Sequence, residues 1–438
     1  MRIGYCSPLN PSKSGISDFS EELVQALKDY VDITLFSPAE PDNAEIRRAF
    51  PWHPISDLDK ASVRRDLDLI VYHVGNNDAF HGEIIDMLLK YPGVLELHDI
   101  GIHNMMAART LEKQGREAYT AMVEYCHGKA GLAAVTPYLN GEADMPWETY
   151  GLELTMNRML VDKSLAVIVH SDQAKQILLA DRPKMPVQVI PHHSILCREP
   201  LDEFQQRCRK ELDLPQDKLI FGSFGFASPD KRIEPIIQSL QRFKQTYGDD
   251  FLYCIVGKVS EQLKLPETLQ SLGLEEQVHI TGFVTLEDFS KYMGACDFCL
   301  NLRYPTRGES SGSLHRMLGM GKPVIVTKIG SFIEYPDDIV RKVRYNEHEV
   351  DDITEALLSL AQEKDRFGAL RQRVFQYAGE HFSLETNALR YKRFFEQVLN
   401  HTWLPDWTDL LVDRLMELRL TNPEYTAHVS EFLREEWS

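Results

Sequence analysis

Basic residues are in short supply in this sequence: 48 lysines and arginines stand against 66 aspartates and glutamates, a formal net charge of −18 over 438 residues. A chain this acidic is a poor non-specific binder of nucleic acid or anionic lipid, so no nucleic-acid partner is expected. Cysteine is scarce too. Seven cysteines, an odd number without framework spacing, exclude a disulfide scaffold and suit a reducing compartment. The only close pair, Cys296 and Cys299, has no second pair and no histidine pair to complete a zinc site, and reads as strand packing. No run of 18 or more apolar residues is present, so no transmembrane segment is expected. The opening Met-Arg-Ile-Gly-Tyr-Cys reads as a first strand and not as a signal peptide. These absences predict a cytoplasmic protein, at most peripheral at the inner face of the membrane.

Two chemical signatures are missing as well. No G-x-G-x-x-G opens either half, which removes the main support for a dehydrogenase. Gly319-Met320-Gly321-Lys322-Pro323 is not a phosphate loop of the Walker type, because proline stands where Ser or Thr must hold Mg2+. Asp66-Leu67-Asp68 spells D-x-D but precedes its strand, whereas carboxylates holding a metal–diphosphate belong at a strand exit. No metal and no cofactor are expected.

What is present is alternation. With 43% hydrophobic and 26% charged residues the chain is an ordinary folded one, long enough for two or three domains. Continuous apolar runs at 2–6, 31–36, 69–74, 94–97, 166–170 and 187–190 read as strands covered on both faces, separated by helical patterns. Near residue 195 the pattern restarts, with strands at 219–224, 252–256, 278–281, 298–300 and 324–327 and helices near 232–246, 260–272, 286–294 and 311–320. The expected architecture is α/β: two Rossmann-like domains, 1–195 and 196–385, facing each other across a cleft, where ligands of such sheets bind. A helical insertion is expected at 104–160. Residues 386–438 form a C-terminal helical extension, in which Trp407, Leu411, Leu415 and Leu418 recur at helical spacing opposite an acidic face. That tail would pack on the body, on a second copy in a homo-oligomer, or on another partner.

Three strand exits carry chemistry. After the strand ending at Leu302, the run Arg303 to Ser313 holds two arginines and Glu309, and Ser310, Ser311 and Gly312 open a helix. Free backbone N–H groups and the helix dipole make that opening an anion site. After Phe224 come Gly225 and then Lys231 and Arg232 at a helix start, where cations are disfavoured unless an anion offsets them. After Leu97 come His98 and Asp99, placed toward the cleft, with Asn76 on the same side. His103, His192 and His193 carry much less of a site signal.

Together these residues resemble the GT-B glycosyltransferases of family GT4, over most of residues 1–400. The resemblance rests on the glycine loop Ser14-Gly15-Ile16-Ser17-Asp18, the linker Val189-Ile190-Pro191-His192, Gly225 with Lys231, Thr281-Gly282-Phe283-Val284, Glu309 to Gly312 with Gly321-Lys322-Pro323-Val324, and Phe382-Ser383-Leu384-Glu385. It implies a retaining enzyme that moves a sugar from a nucleotide-diphospho-sugar to a hydroxyl acceptor, without a metal. The acceptor would be a glycan or surface-polysaccharide precursor, lipid-linked or protein-linked. By resemblance His98, Glu309 and Lys231 would be catalytic. Gly15, Gly225, Arg232, Phe283, Val284, Arg303, Ser310, Ser311 and Gly312 would hold the donor, and Asp99 and Asn76 would face the acceptor. Two departures stand out: Phe226 occupies the place of the family's diphosphate-binding arginine, and the second glutamate of the donor signature falls on Met317 or Arg316. Arg303 is the residue expected to replace the missing arginine. The competing readings are a non-catalytic GT-B subunit stabilising a partner transferase, and another GT-B enzyme such as a nucleotide-sugar epimerase.

Overall fold

The structure is a computed structural model and describes residues 1–363 and 367–400. The tail read at 401–438 lies outside the described residues. Seven parallel strands build the first sheet: β1 (Arg2–Cys6), β2 (Asp32–Ser37), β3 (Trp52–Pro54), β4 (Leu69–Val74), β5 (Val94–Leu97), β6 (Ala166–Val169) and β7 (Val187–Val189), in spatial order β3-β2-β1-β4-β5-β6-β7. Six parallel strands build the second: β8 (Leu219–Phe224), β9 (Phe251–Val256), β10 (Val278–Gly282), β11 (Phe298–Asn301), β12 (Val324–Thr327) and β13 (Val340–Val343), in order β10-β9-β8-β11-β12-β13.

β4, β5, β11 and β12 are buried along their whole length, as helices on both faces require. β3 and β13 escape the sequence reading for a physical reason. Both are edge strands, one of three residues ending in proline and one with Arg341 and Lys342 inside it, so neither carries an apolar run.

Helix Gly15–Leu27 starts at Ser14, whose side chain accepts from the Ile16 N–H. Its buried face, Phe19, Leu23, Val24 and Leu27, shares one core with Tyr391, Phe394 and Phe395 of helix Leu384–Leu399. The last helix therefore returns from the second domain to pack on the first. The chain crosses between the domains twice, and the two crossings are bonded together: the Ser194 N–H donates to Phe382 O (2.7 Å) and Asn387 Nδ2 to Pro191 O (2.7 Å). The segment between β5 and β6 is helical, with Arg116–Leu139 as its longest element and a break at Gly128, whose φ is +61°.

Candidate active site

β8 and β11 are neighbours in the second sheet, so the loops leaving them lie side by side. A pocket opens between the two exits, lined by Gly225, Phe226, Ala227, Lys231, Leu300, Asn301 and Leu302 among others. Gly225 has φ +101°, a conformation that favours glycine, and open space where a Cβ would stand leaves its backbone accessible. Lys231 is half-buried and, among the described residues, has no ion-pair partner. The Asn301 side-chain N–H group is buried without an acceptor. Helix Gly312–Gly319 begins beside it, capped by Ser311, whose hydroxyl accepts from the Leu314 N–H (3.4 Å) and donates to Asn301 Oδ1 (3.2 Å). An ammonium and an unsatisfied amide donor thus line one concavity, with the Ser311-capped helix start bonded to its Asn301 wall, a set of donors that suits an anion.

The exit loop of β11 folds back on itself. Glu309 is buried, one carboxylate oxygen bonded to Arg303 and the other accepting from Thr306 Oγ1 (3.2 Å) and the Arg307 N–H (2.6 Å). Burial alone would raise the Glu309 carboxyl, but the Arg303 guanidinium outweighs it and holds the group below its usual range. Across the cleft Asp99 accepts from the Asn76 N–H (2.9 Å), and burial, with Glu309 as a second cause, pushes it up to about 6. The Gly101 N–H donates to Arg307 O (2.9 Å), which closes this side of the cleft.

Three expectations need correction. Arg232 does not offer its charge to a ligand: it forms a two-pronged ion pair with Glu349 (2.9 and 2.5 Å), and that carboxylate offsets the cost of a cation at the helix start. Arg303 is buried against Glu309 and is not a free substitute for the arginine missing at Phe226. His98 presents no ring nitrogen to the cleft, because Nε2 faces His73 Nδ1 (3.2 Å) and Nδ1 faces His170 Nε2 (3.1 Å).

Other residues stand where the sequence gave little signal. His192 lies over the helix start, with Nε2 3.1 Å from the position a Cβ on Gly312 would take, and its ring stacks on His315 with centroids 5.2 Å apart. Burial first, then His315, holds it well below the usual imidazole range and so neutral. At the far end of the cleft Phe283 is 78% exposed, with Lys13 Nζ 5.7 Å from its ring centre, while Val284 packs against the second core. Gly15 is exposed at the first position of the helix that follows Lys13, and the Ser310 side chain is half-buried beside the start of the Gly312–Gly319 helix. Met317 is fully buried in the core, so the helix face toward the first domain is carried by Arg316, paired with Glu22 at 2.5 Å.

Two parallel α/β domains facing each other, joined by a linker and a returning helix, define the GT-B architecture. Residues 204–381, within the second domain, match the family model described as "Glycosyl transferases group 1". A curated relative, the O-antigen biosynthesis glycosyltransferase WclY of Escherichia coli, is 28% identical over 132 residues, 30% of this chain and 35% of that protein. The match thus spans about a third of the relative's length. Solved structures extend the likeness of fold to both domains. Anabaena Alr3699/HepE in complex with UDP has a TM-score of 0.62 at 15% identity, covering 91% of this chain and 100% of that one. Sucrose-phosphate synthase of Thermosynechococcus elongatus gives 0.63 at 16% identity, covering 92% and 100%. WaaG, a glycosyltransferase involved in lipopolysaccharide biosynthesis, gives 0.59 at 14%, covering 90% and 99%.

Proposed function

We propose that this protein is a retaining glycosyltransferase that moves a sugar from a nucleoside-diphospho-sugar to a hydroxyl of a glycan, in the assembly of a surface polysaccharide. The observation that carries the reading is the pocket between the exits of β8 and β11, where Lys231 and the unpartnered Asn301 amide meet beside Gly225, with the helix start bonded to Asn301 through Ser311. A departing diphosphate develops negative charge, and these fixed donors stabilise it without reorganising. The base lies toward Phe283 and Val284. Glu309 faces the sugar once the donor enters, and Asp99 and Asn76 line the opposite wall. The acceptor hydroxyl attacks on the leaving-group face, the bond to the diphosphate breaks, and the diphosphate takes the hydroxyl proton. No protein nucleophile is required. The solved relative that holds UDP and the curated O-antigen relative support the donor class and the acceptor class respectively.

The test is binding followed by turnover. Calorimetry with UDP, GDP, dTDP and ADP is expected to show one selective diphosphate, and its sugar conjugate then serves to screen acceptors in the presence and absence of EDTA. Lys231→Ala is expected to lower transfer at least 100-fold, in line with the loss of one transition-state donor, about 2.7–4 kcal/mol. Near-wild-type transfer by both Lys231→Ala and Glu309→Ala would remove this assignment. Selective binding without transfer to any acceptor would favour the non-catalytic subunit.

A further inference from the structure

A glutamate lies inside a strand that is otherwise apolar and wholly buried. Glu96, in β5, has one carboxylate oxygen accepting from the Tyr391 hydroxyl (2.6 Å); the other has no bonded partner. Nε2 of His73 is equally buried and equally unpartnered, and it faces that second oxygen at 3.5 Å. The protons around this gap can be counted along the chain of rings. His170 Nδ1 lies 2.8 Å from Ile190 O, a carbonyl that can only accept, so His170 carries its proton on Nδ1. Its Nε2 then accepts from His98 Nδ1 (3.1 Å), and His98 Nε2 accepts from His73 Nδ1 (3.2 Å). Each neutral ring fixes the tautomer of the next. The count ends with a bare His73 Nε2 facing a carboxylate oxygen, two acceptors that need one proton between them.

We propose that Glu96, His73, His98 and His170 form one hydrogen-bonded relay that holds a single shared proton at its Glu96–His73 end and ties together the two chain crossings between the domains. One end reaches Tyr391 on the returning helix, and the other reaches Ile190 at the start of the linker. Between them the relay runs beneath the cleft wall that carries Asp99. A metal ion in the same gap is the competing occupant, since ligand atoms of His73, Glu96 and His98 lie within 4.8 Å of one another. The bonding disfavours it: the His98 Nε2 lone pair already faces the His73 Nδ1 proton, which leaves two ligands where a structural zinc takes four.

The groups packed around Glu96 are Tyr5 on β1, His73 on β4, His98 and His170 at neighbouring strand ends, and Tyr391. Further imidazoles of His81, His192 and His193 surround the rings, with Glu22 on His193. Burial pushes the Glu96 carboxyl up to about 8, whereas burial pushes His73 and His98 well below their usual range and His170 down to about 4. The signs differ. Glu96, raised above its unfolded value, contributes stability that is complete below about pH 4.5 and is lost as pH rises toward 8. The histidines, lowered, lose stability as pH falls through about 6.5. Between pH 6.5 and 8 the histidines are neutral in both states, so within this network the slope there belongs to Glu96.

Glu96→Gln separates the possibilities, because an amide keeps both bonds, donating to His73 Nε2 and accepting from Tyr391, while removing the titration. Thermal unfolding of the full chain from pH 6.5 to 8.5 is expected to show a falling midpoint for the wild type and a flat difference-corrected curve for Glu96→Gln; other titrating groups are common to both and cancel. Parallel curves would overturn the relay. Nitrogen-15 spectra of the wild-type imidazoles are expected to show the Nδ1–H tautomer at His73, His98 and His170; the opposite tautomer would also overturn it, even if the variant failed to fold. One equivalent of zinc in the purified protein, or bound from a solution of zinc alone and lost in Glu96→Gln, would assign the gap to a metal instead. None of these outcomes depends on transfer activity.

Discussion

Lys231 and Arg232 look alike in the sequence, two adjacent cations at one strand exit, and the structure separates them by backbone conformation and by a distant partner. Arg232 takes a left-handed φ of +57° and turns its guanidinium toward Glu349, 117 positions away and itself 4% exposed. Lys231 turns toward the pocket. Arg232→Ala leaves a buried carboxylate unpaired, and allowing for the 22% exposure of the arginine side chain it is expected to destabilise the fold by about 1–3 kcal/mol. Lys231→Ala should stay within about 0.5 kcal/mol of wild type. Urea unfolding of both variants, set beside their nucleotide affinities, checks the contrast: a stable Arg232→Ala protein with lost affinity would reverse the two roles. Gly225 and Lys231 stood out because a glycine, a charge and a helix start coincide at one strand exit, whereas Asn301, the last residue of β11, carried no such signal. The pairing of Arg232 was not legible, because local sequence says nothing about a partner more than a hundred residues away. His98 misled in the same way, since its neighbours come from β4 and from the end of β6.

At the scale of elements, the ends of helices explain several polar residues that no pocket uses. Helix Asp172–Asp181 of the first domain receives the Glu334 carboxylate from the second, which accepts from the Asp172 and Gln173 N–H groups at 3.1 and 2.8 Å. A carboxylate at that end opposes the positive pole of the helix. Lys322, fully buried within the run that fails as a phosphate loop, donates to Gly294 O and Cys296 O at 2.7 Å each and so closes the end of helix Leu286–Ala295. Burial pushes its ammonium down to about 8 from 10.5. The unfolded chain therefore binds the extra proton between those values, and wild-type stability rises with pH across that window. Lys322→Met, which keeps length and packing, is expected to cost about 1–3 kcal/mol for the orphaned carbonyls and to abolish that rise. Chemical denaturation at pH 7.5 and 10 measures both. Buried strands announce themselves by apolar runs, whereas β3 and β13, half-solvated at sheet edges, do not.

For the whole molecule, the restart of the βα alternation near residue 195 was enough to read two domains, but not what holds them face to face. One of the contacts that does so, beside the returning helix and the Glu334 cap, is ionic. Glu22, on the first helix, accepts from Arg316 (2.5 Å) and His193 (2.7 Å), joining the first domain to the helix that begins at Gly312 and to the linker. Burial would raise the Glu22 carboxyl, yet His193 and Arg316 together hold it below its usual value, so the latch persists at neutral pH and is lost only as pH falls through that lowered value. Arg316 lies off the buried face of its helix, which is Leu314, Met317 and Leu318, whereas His193 is buried against Phe19 and keeps that packing without Glu22. Glu22→Ala should therefore loosen the cleft without unfolding either domain. X-ray scattering of the nucleotide-free protein is expected to give a larger radius of gyration than wild type, with the thermal midpoint shifted by no more than about 4 °C, the range of a loss near 1 kcal/mol in a chain of this size. Nucleotide affinity should fall with the opening, because the first domain carries Lys13 and Asp99 to their places over Phe283 and opposite Glu309. An unchanged radius with unchanged affinity would show that the two crossings at 190–194 and 382–387 set the cleft by themselves.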